Sequence, residues 1–129
     1  MIEFQLSSSK RGYGLKELLS EDLKDYWSSD AVLPHRITIL FNKKEFIYSI
    51  ELYLSFPKDE SYTPENVSWY FNGVERSVNL TEPEGWTTFM ICDKAAKIDI
   101  VITGNHTDGK DSHVRNMRIK KSPEEIFYF

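Results

Sequence analysis

Between Phe46 and Phe56 every second residue is apolar or aromatic: Phe46, Tyr48, Ile50, Leu52, Leu54 and Phe56. Successive side chains of a strand point to opposite faces, so this pattern places one apolar face along a long extended segment. A helix would scatter the same residues around its circumference. A strand of this length cannot stand alone in water, because its apolar face needs a second layer to cover it.

The remaining chain supplies that layer in the same period. Ile37, Ile39 and Phe41 alternate with Arg36, Thr38 and Leu40, and Val67, Trp69 and Phe71 repeat the pattern. Asn72-Gly73 then offers a hairpin turn that needs positive φ, and Val78 and Leu80 follow it. Trp86 to Ile91, Ile98 to Ile102, and Met117 with Ile119 mark further strands. Short strands joined by polar turns predict an all-β, antiparallel jelly-roll β-sandwich. No alternation of strand and helix signals a parallel sheet. One helix is expected near the N-terminus, where Leu15, Leu18, Leu19, Leu23 and Tyr26 fall at helical spacing over roughly three turns.

With 129 residues the chain makes one domain, residues 1–129, large enough for a core without staples. Its net charge of −4 argues against nucleic acid and anionic membrane surfaces as partners, since both reward a basic face. Cys92 is the single cysteine, which excludes an internal disulfide and a cysteine-rich zinc site. Its apolar neighbours Phe89 to Ile91 predict a buried structural thiol. No N-terminal leader pattern or membrane-length apolar run is present, so the chain is read as intracellular, in the nucleus and cytoplasm. The triplets beginning at Asn66, Asn79 and Asn105 are then not glycosylated.

Function in such a fold belongs to loops on a rigid frame. Three are unusual: Ser7 to Gly14, Lys58 to Pro64, and Asn105 to His113. In a sandwich these three could share one end. The third carries His106, Asp108, Asp111 and His113, followed by Arg115. Ser112 and His113 are adjacent and would face opposite ways on a strand, which argues against a hydrolytic pair. The spacing of these histidines and aspartates fits neither a zinc nor a calcium signature, so the aspartates read as turn caps and no cofactor or metal is expected. Gly12-Tyr13-Gly14 matches no phosphate-binding loop and reads as a tight turn. Arg115 calls for an ion-pair partner, with Asp30 or Asp111 as candidates, or an aromatic ring to stack on.

Several segments, in order, resemble the Doc domain family of the anaphase-promoting complex. They are Leu6 to Lys10 with Gly12-Tyr13-Gly14, Tyr26 to Asp30, Pro34-His35, Asp59 to Pro64, Glu82 to Trp86, and Asn105-His106 with Gly109 to Arg115. They span a core of about residues 6–120, leaving a short C-terminal tail, 121–129. The resemblance implies a galactose-binding-like jelly roll that is not an enzyme. It implies a subunit of a ubiquitin ligase acting in mitosis, alongside a WD-repeat coactivator. Such a subunit is a co-receptor for the destruction box of substrates and raises processivity. The residues matching the family's degron-binding positions are Ser61, Asp111 and His113, together with Asp108, where the family commonly has asparagine. An ionised aspartate cannot donate a hydrogen bond as an amide does. The family's usual tail ends in Ile-Arg and docks on a TPR-repeat scaffold subunit. Here Ile126-Phe127-Tyr128-Phe129 stands instead, so that docking is not expected, and the apolar tail either packs back on the domain or meets a partner differently. The competing expectation is a carbohydrate- or small-ligand-binding module of the same jelly-roll type.

Overall fold

The computed structural model describes residues 2–128. Its frame is a pair of very long antiparallel strands, β3 (His35–Ser55) and β6 (Glu84–Asn105). Around them lie β1 (Ile2–Leu6), β2 (Trp27–Ser28), β4 (Pro64–Phe71), β5 (Val74–Asn79), β7 (His113–Val114) and β8 (Asn116–Lys120). The first half of β3 pairs with β1 on one side and β6 on the other, and β6 leads on to β4 and β5. The second half pairs with β8 and with the opening half of β6. Ile37, Ile39, Ile98 and Ile100 from one half share a single core with Ile50, Leu52, Phe89 and Ile119 from the other. The expected all-β sandwich is therefore present, with two strands running through both layers.

Bulges make this sharing possible. The register between β3 and β6 shifts between Leu40 and Glu45, and again between Ile47 and Ser49. A bulge adds a residue to one strand and switches which face the following side chains take. Ile47 is fully buried, whereas Phe46 is 46% exposed. The alternation from Ile50 to Leu54 faces the core as expected, but Phe46 does not join it. Cys92 corrects another expectation. It takes φ +54 where β6 bends, and it is exposed: Phe89 and Ile91 face the core at alternate positions, so the next residue faces outward.

The helix is far shorter than its periodicity predicts. α1 covers only Leu15–Leu18. Beyond it, Ser20 and Asp22 side chains accept bonds from the backbone N–H groups of Asp22 and Lys24. Serine and aspartate offer the chain such local alternatives to a helical turn, and here they end the helix. Leu18 is still fully buried. A second one-turn helix, α2 (Phe56–Asp59), begins with Pro57 near its start and delivers Asp59 to the interior.

Asn72 and Gly73 take φ +50 and +76, the hairpin turn expected between β4 and β5. At the other end of the chain, the backbone N–H of Phe127 donates to the Ile119 carbonyl (2.7 Å). The Phe127 ring meets Phe41 edge-on at 5.9 Å. The described part of the tail thus packs back along β8, with Tyr128 left 82% exposed and Phe129 outside the described residues.

Candidate functional site

The three unusual loops meet at one end of the sandwich. The first is stitched to β2: the buried Trp27 donates from Nε1 to the Ser8 carbonyl (2.9 Å), and Lys10 N–H donates to Ser28 O (2.8 Å). β2 in turn pairs with β7, setting Ser28 opposite His113. The third loop is braced from within by Asn105, whose Nδ2 donates to the carbonyls of Gly109 and Asp111 (3.1 Å each) while its Oδ1 accepts from Ser112 Oγ (2.7 Å). His35, fully buried, donates from Nε2 to the Lys110 carbonyl at 2.6 Å. The second and third loops touch at Gly109, where a Cβ would run into the backbone carbonyl of Ser61.

At their junction stands a stack of rings. His113 lies between Tyr62 (centroids 4.2 Å apart, planes 9° apart) and Tyr26 (4.3 Å, 30°), and Tyr13 continues the pile beyond Tyr26 at 4.8 Å. Beneath it, Asp59 holds the arrangement together. Its carboxylate contacts His113 Nδ1 (3.1 Å) and takes a two-pronged bond from Arg115, Nε to Oδ2 at 2.9 Å and Nη2 to Oδ1 at 2.7 Å. Arg115 spends its remaining reach on the Leu23 carbonyl (2.9 Å) and on the face of Tyr26.

Burial alone would raise the Asp59 carboxyl, but hydrogen bonds from His113 and Arg115 and the guanidinium charge outweigh it and hold the group below its usual range. Arg115 is raised, chiefly through its bonds to Asp59. Burial, with Tyr13 next to it, raises the Tyr26 phenol. Asp59 thus fixes His113 by its Nδ1 edge, leaving Nε2 pointing away from the ion pair.

The stack is a ridge with a hollow on each side. One hollow, about 340 Å³, is walled by Lys10, Asp30, Asp111 and Ser29. The other, about 310 Å³, is walled by Lys58, Glu60, Ser61 and Arg115. Tyr26, Tyr62 and His113 border both.

Of the residues singled out from sequence, His113 is in the ridge, Asp111 in one hollow and Ser61 in the other. Asp111 is also part of the frame: its Oδ1 accepts from Ser29 Oγ (3.0 Å) and from Ala31 N–H (3.3 Å). Asp108 lines neither hollow and is exposed at the tip of the third loop. It takes φ +56 there, a conformation that asparagine and aspartate tolerate better than other residues with a side chain. His106 belongs to the frame, bonded through Nδ1 to Thr63 O (2.9 Å) and through Nε2 to Glu82 N–H (3.1 Å). The expected ion pair of Arg115 with Asp30 or Asp111 is corrected to Asp59, which the bend at α2 brings beneath the third loop. Sequence reasoning did not single out Tyr26, Tyr62 or Asp59 as site residues, although each lies inside a segment that carries the family resemblance.

Comparison with known proteins is consistent with this geometry. The family model described as Anaphase-promoting complex, subunit 10 (APC10) matches residues 2–127. The protein described as anaphase-promoting complex subunit 10 of Drosophila melanogaster is 36% identical, covering 96% of this chain and 73% of that protein. Its Homo sapiens counterpart is 34% identical, covering 95% and 72%. Among solved structures, a family 32 carbohydrate-binding module from Clostridium perfringens in complex with galactose superposes with a TM-score of 0.70 at 14% identity, covering 92% of each chain. A module of the same family bound to GalNAc gives 0.72 at 16% identity, covering 92% of this chain and 97% of that one. At such identities these neighbours establish the jelly-roll fold alone. The match along nearly the whole chain places this protein in the anaphase-promoting complex subunit 10 family.

Proposed function

We propose that this chain is the non-catalytic destruction-box co-receptor of its ubiquitin ligase, holding the polar downstream end of a degron whose anchors a WD-repeat coactivator grips. Its partners within the complex are the other subunits. The observation that carries the reading is the ridge of Tyr26, His113 and Tyr62, fixed from below by Asp59 and flanked by two open hollows. An extended peptide laid across it meets the edges of the stacked rings, the His113 Nε2 edge, and polar groups on both sides.

Such a site is weak on its own. A short peptide bears an ordering cost and makes few contacts. Held beside a coactivator that already grips the same peptide, it acts at an effective concentration of order millimolar. An added 1–2 kcal/mol, in order of magnitude, then lengthens residence by roughly tenfold, long enough for more ubiquitin transfers per encounter.

The test is a reconstituted ligase in which this chain carries His113→Ala or Ser61→Ala. Degron-dependent processivity should fall while the chain still joins the complex. Processivity equal to wild type in both variants would sink the assignment.

A further inference from the structure

The two hollows differ in charge, and one carries carboxylate oxygens that have no protein partner among the described residues. Asp30 is exposed at the edge of the first hollow, and among the described residues its carboxylate makes no hydrogen bond or ion pair. Asp111 commits only Oδ1 to the frame, which leaves its Oδ2 available on the same wall. The one cation there, Lys10, pairs with neither aspartate; its Nζ rests 5.8 Å above the Tyr13 ring. The wall shared with the ridge is aromatic, since Tyr26, His113 and Tyr62 all border this hollow. Two carboxylates with free oxygens beside a wall of stacked rings form a setting that favours a cationic side chain, which gains from both charges and lays its apolar stem along the rings. The hollow's volume of about 340 Å³ admits one long side chain.

Across the ridge the balance changes. There the Asp59 charge is consumed by Arg115 and His113, and Lys58 and Glu60 offset one another at the edge. An extended peptide projects residues i and i+2 to the same side at a spacing of about 7 Å, so each hollow can be probed from a different position of one ligand. Resting on the co-receptor reading above, we infer that the hollow walled by Asp30 and Asp111 is a subsite for a lysine or arginine side chain of the bound peptide, with Asp30 as a specificity-determining residue.

The measurement is dissociation of fluorescein-labelled destruction-box peptides from the assembled ligase with coactivator and this chain. One position in the polar downstream end of the peptide carries Lys, Gln or Glu, and that position is walked along this end. At one position the Lys peptide should leave about three- to tenfold more slowly than the Glu peptide, with Gln between, and the spread should shrink in high salt. Asp30→Lys should reverse the order. Equal rates for the three peptides at every position overturn the subsite, even if leaving this chain out still speeds release, in which case the co-receptor reading survives. A Lys preference that Asp30→Lys does not reverse places the cation elsewhere in the complex and likewise overturns it. If leaving this chain out changes no rate, the co-receptor reading fails with it.

Discussion

Tyr62 lies flat against His113, the two rings 4.2 Å apart and within 9° of parallel, although Tyr62 is 45% exposed and anchored only through its loop. The stack therefore depends on the second loop staying where Gly109 lets it approach the third. Tyr62→Ala should cost the fold little, about 1 kcal/mol in urea unfolding, because the ring is half in water. The same change should shorten degron residence on the ligase, and Tyr62→Phe, which keeps the ring, should restore it.

Asp59→Ala removes a carboxylate that is 98% buried at its side chain and leaves Arg115 enclosed without its partner. Stranding one member of a buried pair costs about 3–5 kcal/mol. Denaturant titration should show this loss, whereas Lys58→Ala next to it should change stability by less than about 0.5 kcal/mol.

The same carboxylate predicts an acid limb. Its folded-state pKa lies below that of the unfolded chain, so below about pH 4 the unfolded state takes up the proton first. The contribution of Asp59 is complete above that point and is lost as pH falls toward the depressed folded value. Glu51, lowered against its own burial by bonds from Arg118 and Thr88, adds in the same direction. Stability measured from pH 6 to pH 2 should fall through this window, and Glu51→Gln should flatten part of the slope.

Gly109→Ala should be more harmful than a loop substitution normally is. The backbone dihedrals there suit any residue (φ −63°), but the added methyl meets the Ser61 carbonyl. The loops must separate, at a cost of about 1–3 kcal/mol. A drop in melting temperature accompanied by weaker degron-dependent processivity is the expected pair of results.

Cys92 should react rapidly with a thiol reagent in the native protein, at close to one equivalent, because it stands on the outward face of β6, opposite Phe89 and Ile91. Protection until the chain is denatured would instead place it in the core.

What the sequence disclosed, and what it hid, divides along physical lines. Period-two alternation is a local property, so the strands around Ile37, Leu52, Trp69 and Ile100 were legible from it. A bulge inverts the alternation without altering composition, which hides the side that Phe46 takes. Cys92 simply follows the alternation of Phe89 and Ile91, and apolar flanks alone do not show which face a residue takes. The N-terminal helix failed because Ser20 and Asp22 competed for the backbone that the leucine spacing claimed. Within the site, His113 and Asp111 were visible as a dense polar loop. Asp59, far from them along the chain, was not, because the ion pair it forms exists only once α2 and β7 are brought together.

The ridge draws Tyr26, Tyr62 and His113 from three distant stretches, and the clasp between them is a two-residue ladder, β2 with β7. Lys10, Asp30, Tyr62 and His113 meet at the first hollow, so no single loop carries this surface. On the reading proposed above, recognition needs the whole sandwich, because a chain cut short before His113 lacks the central ring of the ridge.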